Sequence, residues 1–101
     1  MRLFWTMNIH SININHSHAA SAELIKRATD LGSEQYVFFV QEPLVHNNLV
    51  SGLNGIGKIF YLQSNAKVRT CIIASADLDL WLVPDLSNGD ITTCATKIRG
   101  Q

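Results

Sequence analysis

The sequence predicts an α/β domain, and three observations carry the prediction. Tyr36-Val37-Phe38-Phe39-Val40 is a short run of aromatic and β-branched residues closed by Pro43, which reads as a buried strand. Ahead of it, Ala20, Leu24, Ala28 and Leu31 recur at helical spacing, with Glu23, Lys26, Arg27 and Asp30 on the other faces. Beyond residue 57, strand-like runs alternate with short polar spacers.

Taken in order, residues 3–14 alternate loosely around Phe4, Trp5, Ile9 and Ile12 and predict a first strand. Ser17 is placed to cap a helix over 18–31, and Gly32 to stop it. The strand over 36–40 then completes a strand–helix–strand unit, which favours parallel pairing. Residues 43–57 read as a loop, with glycines at 52, 55 and 57. Strands are expected over 58–62, 68–75, 78–83 and 91–98, separated by turn residues and arranged as an antiparallel meander. Asn88-Gly89 is the strongest turn signal in the chain. One helix cannot cover a sheet of five or six strands on both sides. The expectation for residues 1–101 is therefore a partial domain, the N-terminal half of a two-layer α/β sandwich.

With 101 residues, 47% of them hydrophobic, the chain can build one small core. Formal net charge is zero, and the eight Lys and Arg form no run. A nucleic-acid surface, if there is one, must come from geometry rather than from a basic patch. No segment approaches the roughly 20 apolar residues of a membrane span. Asn8 and His10 interrupt the apolar start, so no signal peptide is read and an intracellular setting, nuclear or cytoplasmic, is expected. Cys71 and Cys94 read as buried free thiols, although their number also permits one disulfide.

Glu42 is the leading candidate for function. A carboxylate closing an apolar strand is costly unless a cation meets it. In open α/β sheets the carboxyl ends of strands are also where ligands gather. The polar cluster Ser11-Ile12-Asn13-Ile14-Asn15-His16 ends the preceding strand, so parallel pairing would bring Asn13 beside Glu42. A carboxylate and an amide together suit a hard cation such as magnesium. Asn13 and Asn15 also fit local turn roles ahead of a helix. Four histidines, at 10, 16, 18 and 46, invite a zinc reading, but no Cys-x-x-Cys or paired-His spacing accompanies them. Gly55-Ile56-Gly57-Lys58 lacks the Ser or Thr and the following helix of a phosphate loop. Asp77, Asp79, Asp85 and Asp90 read as turn formers.

The order of these parts resembles the endonuclease/exonuclease/phosphatase family. It is most similar to the apurinic-type endonuclease domain of non-LTR (LINE-like) retrotransposon polyproteins. Asn13-Ile14-Asn15-His16 followed by Ala19-Ala20, then Gln41-Glu42-Pro43, Ile72-Ile73-Ala74-Ser75 and Leu82-Val83-Pro84-Asp85-Leu86-Ser87 carry the resemblance. It implies Mg2+- or Mn2+-dependent cleavage of DNA phosphodiesters, with Glu42 as metal ligand and Asn13 orienting phosphate or a water. An attached reverse transcriptase would be a further implied partner. Ser11 stands where the family usually carries Gln. The tyrosine, Asp-x-Asn pair and Asp-His pair of the family would fall beyond Gln101. The alternative expectation is a truncated, catalytically inactive remnant acting as a structural or interaction module. A small metal-binding protein is a third.

Overall fold

The structure, a computed structural model, describes residues 7–97. The expected start of the first strand at residues 3–6, and residue 98 of the last, lie outside the described residues. Strand β1 (Met7–Asn13) leads into helix α1 (His18–Leu31) and strand β2 (Gln35–Gln41). Two-residue strands β3 (Val45–His46) and β4 (Leu49–Val50) follow, then β5 (Lys58–Phe60), β6 (Thr70–Ala74), β7 (Leu80–Leu82), a 3-10 turn (Pro84–Leu86) and β8 (Cys94–Thr96). The α/β class read from the sequence holds.

The helix forms where its signals stand. Ser17 has extended backbone and its Oγ accepts the Ala20 N–H at 3.1 Å, which satisfies one of the free donors of the first turn. Gly32 ends the helix with its N–H on the Thr29 carbonyl. Leu24 and Ala28 are buried, Ala20 and Leu31 pack partly against the same core, and Ser21 is buried among them.

The main sheet has the order β1-β2-β6-β5. β1 runs parallel to β2, with Asn13 opposite Gln41. β6 is antiparallel to both β2 and β5. The expected consecutive antiparallel strands thus fall into two pairs, β5 with β6 and β7 with β8, and β6 gives its other edge to β2. This placement puts the most apolar strands, β2 and β6, in the centre, where both faces of each can find cover.

Strand alternation divides the sheet into two faces. Tyr36, Phe38, Val40, Cys71 and Ile73 join Leu24, Ala28 and Ile14 in the larger cluster, closed by Leu53 and Ile56 from the loop after β4. Val37, Ile72, Ala74 and Leu78 form a smaller cluster on the other face, edged by Leu80 and Cys94 of the β7–β8 pair. Tyr36 ties β2 to the loop before β5 and to the end of β6: its hydroxyl donates to the Ile56 carbonyl at 2.9 Å and its backbone N–H to Ser75 Oγ at 3.1 Å. Gly57 has φ +96, and a Cβ there would collide with the Ala74 carbonyl, so only glycine fits this approach to β6.

Two turns differ from expectation. Asn47 and Asn48 both take positive φ (53 and 62) and close a tight hairpin between β3 and β4, within the stretch expected to be irregular. Two successive left-handed residues are what a type I′ turn demands, and asparagine tolerates them. Asn88-Gly89, in contrast, closes no two-residue hairpin. Asn88 Oδ1 accepts the N–H groups of Asp90 and Ile91, and the Gly89 carbonyl accepts the Arg69 N–H at 2.7 Å. The segment is a local side-chain turn docked against the start of β6. Both cysteines are free, Cys71 buried and Cys94 half-buried. Burial pushes the Cys71 thiol up to about 12.

Candidate functional site

Glu42 follows the last residue of β2 and has φ 51, a left-handed backbone that glutamate rarely adopts. It is held there from both sides. Its N–H donates to the Arg69 carbonyl at 2.8 Å, and its own carbonyl accepts the His16 N–H at 2.9 Å. The Arg69 N–H in turn reaches the Gly89 carbonyl, so four chain segments meet at the carboxyl end of β2. Strained backbone in a fixed frame is a recurrent property of functional sites.

The carboxylate is met by cations, as its position requires. Arg69 donates to Oε1 through Nε at 3.1 Å and Nη2 at 3.0 Å. His16 Nε2 stands 2.7 Å from Oε2, while its Nδ1 is 3.1 Å from the Pro43 carbonyl. Arg69 also approaches Asp90 at 3.7 Å. The hydrogen bond from Arg69 is the main reason the Glu42 carboxyl is held below its ordinary range, with the charges of Arg69, His16 and Lys67 adding to it. The Glu42 side chain stays 21% exposed, so water and ions reach it.

Asn13 stands at the adjacent strand end, as the parallel register requires. Its Oδ1 accepts the Asn15 N–H at 2.8 Å, which makes it a side-chain-closed turn. One lone pair and the amide NH2 remain for a ligand. Asn13, Glu42, Arg69 and Asp90 line one open cleft with Gln41 and Thr70, of about 310 Å3. A larger one, of about 490 Å3, lies on the far side of His16.

Sequence reasoning brought Asn13 and Glu42 together and missed Arg69, Thr70 and Asp90. Their signal is indirect. Arg69 immediately precedes a strand antiparallel to β2, so it must arrive at the end of β2 where Glu42 sits. Of the remaining histidines, His10 lies against Phe38, with ring centroids 5.1 Å apart. Among the described residues no group of three or more His, Cys, Asp or Glu converges in a manner suited to a metal ion.

The donors at Glu42 and Asn13 nevertheless fit magnesium in kind. They are hard oxygens, and magnesium retains several waters and takes only one or two carboxylates. A single carboxylate makes such a site weak, and a cation there competes with Arg69 and His16 for the two oxygens. No protein-family model matches the chain, and no curated protein or solved structure matches it at a significant level. Among the described residues no helix is long and apolar enough to cross a membrane.

Proposed function

We propose that the chain carries the carboxylate end of a divalent-cation-dependent phosphodiesterase site acting on DNA, of the endonuclease/exonuclease/phosphatase type seen in non-LTR retrotransposons. The observation that supports it most is Glu42 itself: an accessible carboxylate on left-handed backbone, at the carboxyl end of a central strand and next to the Asn13 strand end. Glu42 is the ligand for Mg2+ or Mn2+, and Asn13 orients phosphate through its free amide. The bound cation would supply polarisation of a phosphoryl oxygen. Arg69 on Oε1 and His16 on Oε2 together orient the Glu42 carboxylate.

Manganese tests the site. Added Mn2+ is expected to broaden the amide resonances of Glu42 and Asn13 first, with weak affinity, and Glu42→Gln is expected to abolish the effect. Broadening centred elsewhere removes the assignment. Because the resemblance puts the other catalytic groups outside these residues, the chain by itself is expected not to nick plasmid DNA, and robust Glu42-dependent nicking would show that the catalytic set is misread.

A second reading has its own support. Both oxygens of Glu42 already have side-chain partners, Arg69 on Oε1 and His16 on Oε2, so the cluster is satisfied without a metal. In that reading the chain is a catalytically inactive module in which Glu42 pins three segments together. Manganese that leaves Glu42 untouched, with loss of stability in Glu42→Gln, would favour it.

A further inference from the structure

The larger cleft has features that the Glu42 site does not explain. It is lined by His16, Leu44, Val45, Asn47, Asn48 and Lys67. Lys67 is exposed and makes no ion pair with any described residue. The side chains of Asn47 and Asn48 are exposed at the tip of their hairpin and make no hydrogen bond to described residues. The cleft therefore gathers unspent donors, an ammonium and two amides, beside an imidazole whose two nitrogens are already engaged by Glu42 and Pro43. Leu44 and Val45 contribute its apolar part.

Its two sides are each tied to the fold. The β3–β4 pairing fixes the asparagines, and the Ser51 N–H on the Leu44 carbonyl at 2.9 Å closes the base of the hairpin. Lys67 sits on a stretch anchored at Gly89, where any Cβ would collide with the Lys67 carbonyl. His16 joins the two clefts, since it lines this one and holds Glu42 Oε2. The Glu42 carboxylate is already engaged by Arg69 and His16, which reduces its repulsion of an anion in the cleft.

We propose that the cleft between the Asn47–Asn48 hairpin and Lys67 is a subsite for a backbone phosphate of a nucleic-acid strand, flanking the phosphate at Glu42. The proposal rests on the reading that this end of the sheet acts on DNA. Lys67 supplies the charge and the two asparagines supply amide donors to phosphate and sugar oxygens. Contacts of this kind position a strand without reading its sequence, which suits a chain with no basic run.

The experiment is a titration of a labelled oligothymidylate of about ten nucleotides with the whole chain, followed by anisotropy at several salt concentrations. One phosphate contact to a single strand contributes about 0.7 to the slope of log K against log salt, or about fivefold in affinity at 0.1 M salt. Lys67→Gln is expected to remove both. Asn47→Gly combined with Asn48→Gly keeps the positive-φ turn and is expected to weaken binding while leaving the slope unchanged. The proposal is overturned if the wild-type chain does not bind the oligonucleotide. Isotherms identical to wild type for Lys67→Gln also overturn it. So does inorganic phosphate that shifts the Asn47, Asn48 and His16 amides as strongly as the oligonucleotide does. The manganese experiment separates the two claims. Lys67-dependent binding without broadening at Glu42 keeps the subsite and removes the metal assignment. Broadening at Glu42 with Lys67-independent binding does the reverse.

Discussion

The two faces of the main sheet are built from alternate residues of the same strands and end in different states. Toward α1, Phe38, Val40 and Ile73 are sealed under Leu24 and Ala28. On the opposite face the β7–β8 pair covers Val37 and Ile72, while Phe39 remains 45% exposed and Ile9, opposite Val37 on β1, 63%. An open groove of about 330 Å3 runs between this face and β8. Side-chain alternation decides only which residues travel together. The covering element decides which set becomes core, and a 14-residue helix covers more than two three-residue strands.

The largest expected effect separates the faces directly. Leu24→Ala removes a fully buried side chain from the helix-covered face and is expected to cost about 2–5 kcal/mol. Phe39→Ala, although it deletes more atoms, is expected to cost under about 1 kcal/mol, because Phe39 is already half in water. Urea midpoints of the two variants check this. Equal losses would mean that the second face is as tightly packed as the first.

A smaller effect sharpens the comparison where the loop after β4 joins the covered face. Tyr36→Phe keeps the ring and deletes only the bond to the Ile56 carbonyl, at an expected cost of about 1 kcal/mol. A neutral outcome in chemical denaturation would show that water replaces the hydroxyl and that this corner of the core is looser than the rest.

The smallest effect belongs to the strand end, where neither face gives shelter. The folded-state pKa of Glu42 is lowered, chiefly by its hydrogen bond from Arg69. Its contribution to stability is therefore complete above the ordinary carboxylate value of 4.5 and is lost as pH falls through the lowered folded value. The stability gap between wild type and Glu42→Gln should close with acidification over that range. A gap that stays constant through acid would show that the pairing with Arg69 does not persist in solution.

Much of the frame was legible because its signals are local. Ser17, the four-residue apolar spacing and Gly32 mark α1 at the bounds the structure has. The uninterrupted apolar run of β2 marks a strand with both faces in use, and the strand–helix–strand order fixes Asn13 beside the end of β2. The Asn47-Asn48 hairpin was not read from the sequence, because its two asparagines lie in a stretch whose glycines point to a loop. What the sequence hides is non-local. Arg69 is 27 residues from Glu42, and only the choice of β2 rather than β7 as a partner for β6 brings them together. The need for a cation at Glu42 is visible in the chain, whereas which cation meets it is decided by strand order. Asn88-Gly89 misleads for the same reason, since its role is to dock against residues that precede it by two turns of the chain.

The left-handed backbone at Glu42 sets a trap for anyone who engineers this chain. Glycine and asparagine accept that conformation far more readily than glutamate does. A library at this position sorted only for heat resistance or expression yield would drift toward those two residues and discard the carboxylate. Variants that look improved by such a screen would be the ones stripped of the carboxylate on which the proposed site rests. Sorting for ligand occupancy alongside robustness is the way to keep Glu42 in the pool.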